Sequence, residues 1–217
     1  MIMVAPVQLA GIRTQSKLAD TAFYINMDRQ VGRREHIVEL LSSAGLEPVR
    51  VPPVHDEVAF RSLVKTHKMI VERISKMGGQ QYHCIFEDDV DIARELKPPD
   101  VKSFIEEELE RIEDSVGFIY LGVCLDPDQV RTCRPHSCRA WCSHAYMVTP
   151  PGARWLLQNI TDWENNHSDY AYMKTLSAPV IGHRFTHDHT HPDWRGLFYQ
   201  ARQAEWYEAG MAEKGYT

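Results

Sequence analysis

Four carboxylates fall within five positions at Glu87, Asp88, Asp89 and Asp91, directly after the apolar, β-prone run Tyr82-His83-Cys84-Ile85-Phe86. Side chains alternate faces along a strand, so Glu87, Asp89 and Asp91 are expected on one side, with Asp88 and Val90 on the other. At the carboxyl end of a strand in an α/β sheet, where ligands usually bind, such a cluster repels itself unless a cation sits there. The hard divalent cations Mg²⁺ and Mn²⁺ are the natural partners of oxygen ligands and are often shared with a substrate phosphate. A solvated acidic loop after a strand is the alternative.

Two further clusters carry chemistry. In the tail His183-Arg184-Phe185-Thr186-His187-Asp188-His189-Thr190-His191, the residues His187, His189 and His191 could share one face of an extended segment, or belong to an exposed polar loop. Cys133-x₄-Cys138-x₃-Cys142, with His136 and His144 nearby, invites a zinc site but lacks the paired Cys-x-x-Cys of strong zinc modules. Disulfides and plain reduced thiols are the alternatives, and reduced thiols are the default without a secretory signal. Met1–Ile12 has neither a positive start nor a long apolar centre, so it is a poor signal peptide and a cytoplasmic location is expected.

These residues need a scaffold, and the chain supplies alternating elements. Thr21–Met27 reads as a buried strand, Gly32–Ala44 as a helix stopped by Gly45, and Glu47–Val51 as a second strand closed by Pro52-Pro53. A second helix spans Val58 to Met77, with Phe60, Val64, Met69, Val71 and Ile74 inward. After the acidic strand come an acidic amphipathic helix (Val101 to Glu113), a strand (Val116–Gly122) and an aperiodic Cys-rich loop over 124–143. Ala145–Thr149 returns as a strand, Pro150-Pro151-Gly152 opens a helix, a helix around Ser168–Leu176 follows, and Ala178–Ile181 precedes the His-rich tail, 183–217. The pattern predicts one α/β domain over 21–217 after a loose arm, 1–20, with a mixed, mostly parallel sheet flanked by helices. With 217 residues and a net charge of −6, the chain has ample core and no basic stripe for a nucleic acid. No apolar run approaches a membrane span.

Several blocks, in order, resemble glycosyltransferase family 25. They are Phe23-Tyr24-Ile25-Asn26-Met27-Asp28-Arg29 with Arg33-Arg34 and Gly45-Leu46, then Thr66-His67-Lys68, Phe86-Glu87-Asp88-Asp89-Val90, Ser143-His144-Ala145-Tyr146-Met147-Val148 with Gly152-Ala153, and His167-Ser168-Asp169-Tyr170. Together they span roughly 21–180, whereas the Cys-rich loop and His-rich tail depart from the family's pattern, and its second acidic motif is reduced here to Asp169. The resemblance implies a GT-A-like, Rossmann-related fold and an inverting transfer from a nucleotide-sugar donor to a glycan, lipid-linked or protein acceptor. It implies Mn²⁺ or Mg²⁺ at Glu87, Asp89 and Asp91, with Asp89 the first choice for direct ligation and His187 or His189 completing the set. It places the nucleotide at Asn26, Asp28 and Arg29, with Arg29 or Arg33 pairing a phosphate, and makes Asp169 the general base. His67, a lone histidine on a core helix, is expected to be structural. A metal-dependent phosphoester hydrolase and a non-catalytic zinc module are the competing readings.

Overall fold

The structure, a computed structural model, describes residues 16–93, 96–124, 141–161, 163, 178–179 and 194–200. Its first half comprises β1 (Leu18–Ile25), α1 (Val31–Ser43), β2 (Glu47–Val51), α2 (Ala59–Ser75), β3 (Tyr82–Glu87) and β4 (Val90–Ile92). Its second comprises α3 (Val101–Leu109), β5 (Phe118–Cys124), β6 (Trp141–Val148), α4 (Pro150–Asn159), β7 (Trp194–Gly196) and β8 (Phe198–Gln200). One sheet has the order β2-β1-β3-β6-β5-β7, and β4 pairs with β8 in a small second sheet. β1 is parallel to β2 and β3, whereas β6 is antiparallel to β3 and β5, and β7 to β5. Strands β1, β2, β3 and β5 therefore point one way and β6 and β7 the other. This is the expected α/β fold with a mixed, mostly parallel sheet.

Strand alternation sorts the core into two layers. Ala22, Tyr24, Cys84, Phe86, Ile119 and Leu121 face α1 and α3, which contribute Ile37, Leu40, Leu41, Phe104, Ile105 and Leu109. Phe23, Ile25, Ile85, Tyr120, Tyr146 and Val148 face α2 and α4, which contribute Val64, Ile70, Val71, Ile74, Ala153 and Leu156. The crossover through α1 thus leaves β1 on one side and that through α2 returns on the other. The strand order reverses at β1, and the crevice beyond the carboxyl ends of β1 and β3 is where such sheets bind ligands.

Local chemistry fixes the ends. Gly45 has φ of 76°, and the N–H groups of Gly45 and Leu46 donate to the Ser42 and Leu41 carbonyls, a Schellman close of α1. Thr149 caps α4, its hydroxyl accepting from the Gly152 N–H at 3.1 Å. Here the chain crosses itself tightly: a Cβ on Gly152 would lie 2.0 Å from the Gly117 carbonyl oxygen. Both groups are backbone, so neither can yield. Gly152→Ala is expected to cost about 2–3 kcal/mol and to lower the thermal midpoint by roughly 4–10 °C, measured by thermal unfolding.

Several boundaries differ from the sequence expectation. β1 begins at Leu18, inside the span assigned to a loose arm, because Leu18 and Ala19 are buried and Leu18 pairs with Tyr82. Cys124 closes β5 and Trp141–Ser143 open β6, which shortens the Cys-rich loop, and β7 and β8 fall within the His-rich tail. On α2, Met69 is exposed and Ile70 takes its place in the core. The helix expected around Ser168–Leu176 lies outside the described residues. No helix among the described residues is long and apolar enough to cross a membrane.

Candidate functional site

The site forms where β1, β2, β3 and β6 meet the carboxyl edge. Asn26, the residue after β1, is 1% exposed, and its amide donates to Asp88 Oδ2 at 2.7 Å and to the Gln30 carbonyl at 3.0 Å. Arg50, one position before the end of β2, donates from Nε to Asn26 Oδ1 at 3.2 Å and from Nη2 to the Asn26 carbonyl at 2.9 Å. The same Nη2 lies 2.5 Å from Asp28 Oδ1, and this hydrogen bond and charge hold the exposed Asp28 below the usual carboxylate range. Asn26 thus ties β1, the approach to α1, β2 and the acidic turn together. No local pattern singles out Arg50 beyond an arginine near the carboxyl end of a short strand.

The acidic cluster does not share one face. β3 ends at Glu87, a turn takes Asp88 and Asp89, and Asp91 sits on β4 opposite Tyr199. The turn breaks the period-two alternation that the expectation of a common Glu87/Asp89/Asp91 face assumed. Glu87 turns to the α2 side, where Ser143 Oγ donates to Oε1 at 3.3 Å and His67 Nε2 lies 3.5 Å from the same oxygen. Burial alone would push the Glu87 carboxyl up, but the hydrogen bond and charge of His67, with His144 and Ser143, bring it below its ordinary value. Asp88 turns the other way, accepting from Asn26 and from Arg33 Nη1 at 3.1 Å. The Asp91 Oδ1 accepts the N–H of Ile92 at 2.8 Å.

Asp89 is different. Its Oδ2 lies 3.6 Å from Arg33 Nη1, while its Oδ1 is buried with no hydrogen-bond partner among the described residues. Burial and then the charge of Glu87 push its carboxyl up to about 6, against the pull of Arg33. For the metal-free protein the sign is clear. Folding takes up a proton between the ordinary carboxylate range and about pH 6, so stability falls as pH rises through that window. Asp89→Asn is therefore expected to stabilise the metal-free protein by about 1–3 kcal/mol at pH 7, with the gain vanishing below about pH 4. Urea titrations at both pH values check it.

Arg29 is exposed beside this network and Arg33 is half-buried within it. Asp169, His187 and His189 lie outside the described residues, as do Cys133 and Cys138. His144 is buried, and its Nε2 donates to the Phe198 carbonyl at 3.2 Å, so that nitrogen is committed to backbone. The approach is tight enough that a Cβ on Gly122 would lie 2.2 Å from the Phe198 oxygen and 2.3 Å from His144 Nε2. Cys84 is fully buried, and burial pushes its thiol up to about 12, which leaves it protonated and inert.

Among the described residues, no group of three His, Cys, Asp or Glu side chains is placed to hold a metal ion. The fit to a divalent cation rests on Asp89, which presents a buried, unshared carboxylate oxygen in a surplus of negative charge. One such ligand suits an open Mg²⁺ or Mn²⁺ site completed by phosphate oxygens and water.

No protein-family profile matches the chain, and no curated protein matches it. Among solved structures, it is similar to a glycosyltransferase involved in glycosylation of the major capsid of PBCV-1. That pair shares 13% identity and a TM-score of 0.45 over 87% of this chain and 98% of the other. It is also similar to a Drosophila β-1,4-galactosyltransferase 7 variant in complex with manganese, UDP-Gal and xylobiose, at 12% identity and a TM-score of 0.35, over 63% of this chain and 51% of that one. A third is described as a glucose-1-phosphate thymidylyltransferase from Bacillus anthracis, at 10% identity and a TM-score of 0.37, over 70% of this chain and 63% of that one.

Proposed function

We propose that this chain is a divalent-metal-assisted glycosyltransferase, moving a sugar from a nucleotide-sugar donor to an acceptor hydroxyl with inversion. The observation that carries it is the buried Oδ1 of Asp89, without a hydrogen-bond partner among the described residues and held at the carboxyl-edge switch point beside Arg33. The ordered blocks resembling family 25 support the same reading. Asp89 is assigned as the residue that would hold the metal at the turn, with Asp91 and His187 or His189 as further candidate ligands. When bound, Mn²⁺ or Mg²⁺ would supply Lewis-acid stabilisation of the departing diphosphate.

The chain's own groups have separate tasks. Arg33 neutralises Asp88 and Asp89 in the empty protein and offers its fork to a phosphate once a donor arrives. Arg29 stands exposed as a second phosphate partner. Asn26, Asp28 and Arg50 form a rigid, pre-ordered wall for the nucleoside, which lowers the cost of ordering it on binding. Asp169 is assigned as the general base that takes the acceptor proton. The acceptor class is a glycan, a lipid-linked sugar or a protein.

Thermal unfolding with nucleoside diphosphates, each with and without Mn²⁺, tests this. A ligand that binds only the native state must raise the midpoint. A rise that needs both Mn²⁺ and one nucleotide is expected and identifies the base. No rise with any pair would overturn the donor site.

A further inference from the structure

The sheet face opposite Arg33 carries a buried polar chain that the proposed reaction does not use. His67 is fully buried on α2. Its Nδ1 lies 3.0 Å from the Tyr146 hydroxyl on β6, and its Nε2 lies 3.5 Å from Glu87 Oε1 at the end of β3. The two rings are tilted by 30° with centroids 5.7 Å apart. Ser143, three residues before Tyr146 on the same strand, donates to the same Glu87 oxygen. One carboxylate thus joins α2, β3 and β6 at the point where the acidic turn begins.

The polarity of this chain is set by its ends. Glu87 Oε1 can only accept, so a bare Nε2 facing it would set two lone pairs against each other in a buried space. The favourable order has the proton on Nε2, facing the carboxylate, and the Tyr146 hydroxyl donating to Nδ1. A histidine oriented by one partner to serve another is the usual arrangement behind a positioned carboxylate or metal ligand.

We propose that His67 is a positioning residue: oriented by Tyr146 and acting beside Ser143, it anchors Glu87 to the α2 side, which fixes the turn that presents Asp89. Glu87 is then an anchor and not a metal ligand. The link to metal rests on the function proposed above, whereas the polar chain does not. A single residue separates Glu87 from Asp89, so a change of Glu87 rotamer or strand-end position moves the turn that carries the ligand.

The experiment uses the full chain with His67→Phe, His67→Gln, Tyr146→Phe and Glu87→Gln variants, their folding checked by circular dichroism. Imidazole ¹⁵N shifts of the ¹⁵N-labelled protein report where His67 holds its proton, and an electron-paramagnetic-resonance titration with Mn²⁺ alone reports affinity. A proton fixed on Nε2 is expected in the unsubstituted protein and, because Glu87 still faces it, in Tyr146→Phe, where the Nδ1 shift should move as its hydroxyl donor is lost. His67→Phe is expected to weaken Mn²⁺ binding by about ten- to a hundredfold, as loss of an orienting partner typically does. His67→Gln, whose amide N–H reaches toward Glu87, is expected to recover most of it.

Glu87→Gln separates the two roles. It keeps an acceptor oxygen for His67 and should leave Mn²⁺ binding within about tenfold, whereas loss of all binding would show Glu87 to be a ligand and overturn the assignment. A proton on Nδ1, or a ring exchanging between tautomers, overturns the chain itself. Should His67→Phe fail to fold, Tyr146→Phe removes a single oxygen and carries the same two readouts. If the unsubstituted protein binds no Mn²⁺, the metal reading falls while the ¹⁵N result still decides the chain.

Discussion

Asp89→Ala is expected to lower sugar transfer by about a thousandfold, because a bound cation contributes several kcal/mol to stabilising a leaving diphosphate. The fold should survive. Asp89 lies in a turn, its Oδ2 is 3.6 Å from Arg33, and among the described residues its buried Oδ1 has no hydrogen-bond partner. Its raised carboxyl marks a site that destabilises the empty protein, so removing the charge relieves the burial penalty and the repulsion from Glu87. The variant should therefore be at least as stable as the unsubstituted chain at neutral pH while losing the Mn²⁺-dependent rise in midpoint. Activity, Mn²⁺ titration and unfolding on one preparation separate these effects. Unchanged transfer would sink the metal assignment.

Asn26→Ala should do the opposite and cost stability first. The Asn26 amide satisfies Asp88 and the Gln30 carbonyl, and its oxygen accepts from Arg50. Alanine strands a buried carboxylate oxygen and a guanidinium N–H at once, whereas the Gln30 carbonyl keeps the Arg34 N–H. Leaving such groups unpaired costs about 1–3 kcal/mol each where water cannot reach them. Arg33 still pairs Asp88 and Arg50 is partly solvated, so about 3 kcal/mol in total is expected by urea unfolding. Donor binding should weaken as well, since Asp28 and Arg50 lose their common anchor. Asn26→Asp, which keeps the shape but sets a carboxylate 2.7 Å from Asp88, should be no better than alanine. A stability near that of the unsubstituted chain would show the network to be surface decoration.

Much of the scaffold was legible in the sequence because it depends on short-range pattern. β2 falls at Glu47–Val51 as expected, α1 differs by one residue at each end, and Gly45 supplies its left-handed stop. The site was legible only in part, because its logic is long-range. The alternation that groups Glu87 with Asp89 is a property of an unbroken strand, and a turn at Asp88-Asp89 cancels it. His67, expected to be structural, lies on the buried stripe of α2 with Val64, Ile70, Val71 and Ile74. A polar residue on such a stripe needs a buried polar partner, and that requirement is visible from helical spacing alone. Its partners Glu87 and Tyr146 are 20 and 79 residues away, and no local rule pairs them. The same holds for Arg50, whose role comes from β2 lying beside β1.

The position of β6 bears on the order in which the protein comes together. Everything from β1 to β3 is built from successive crossovers, so the emerging chain can lay down that half as soon as Glu87 leaves the ribosome. β6 then arrives antiparallel, wedged between β3 and β5, carrying Ser143 and Tyr146. Until it docks, the acidic turn has neither its hydroxyl donor nor the tyrosine that orients His67. Anchoring of Glu87 is thereby made a late event in synthesis: a nascent chain truncated before β6 would hold Asp88 through Asn26 and Arg33 but leave Glu87 without its Ser143 donor.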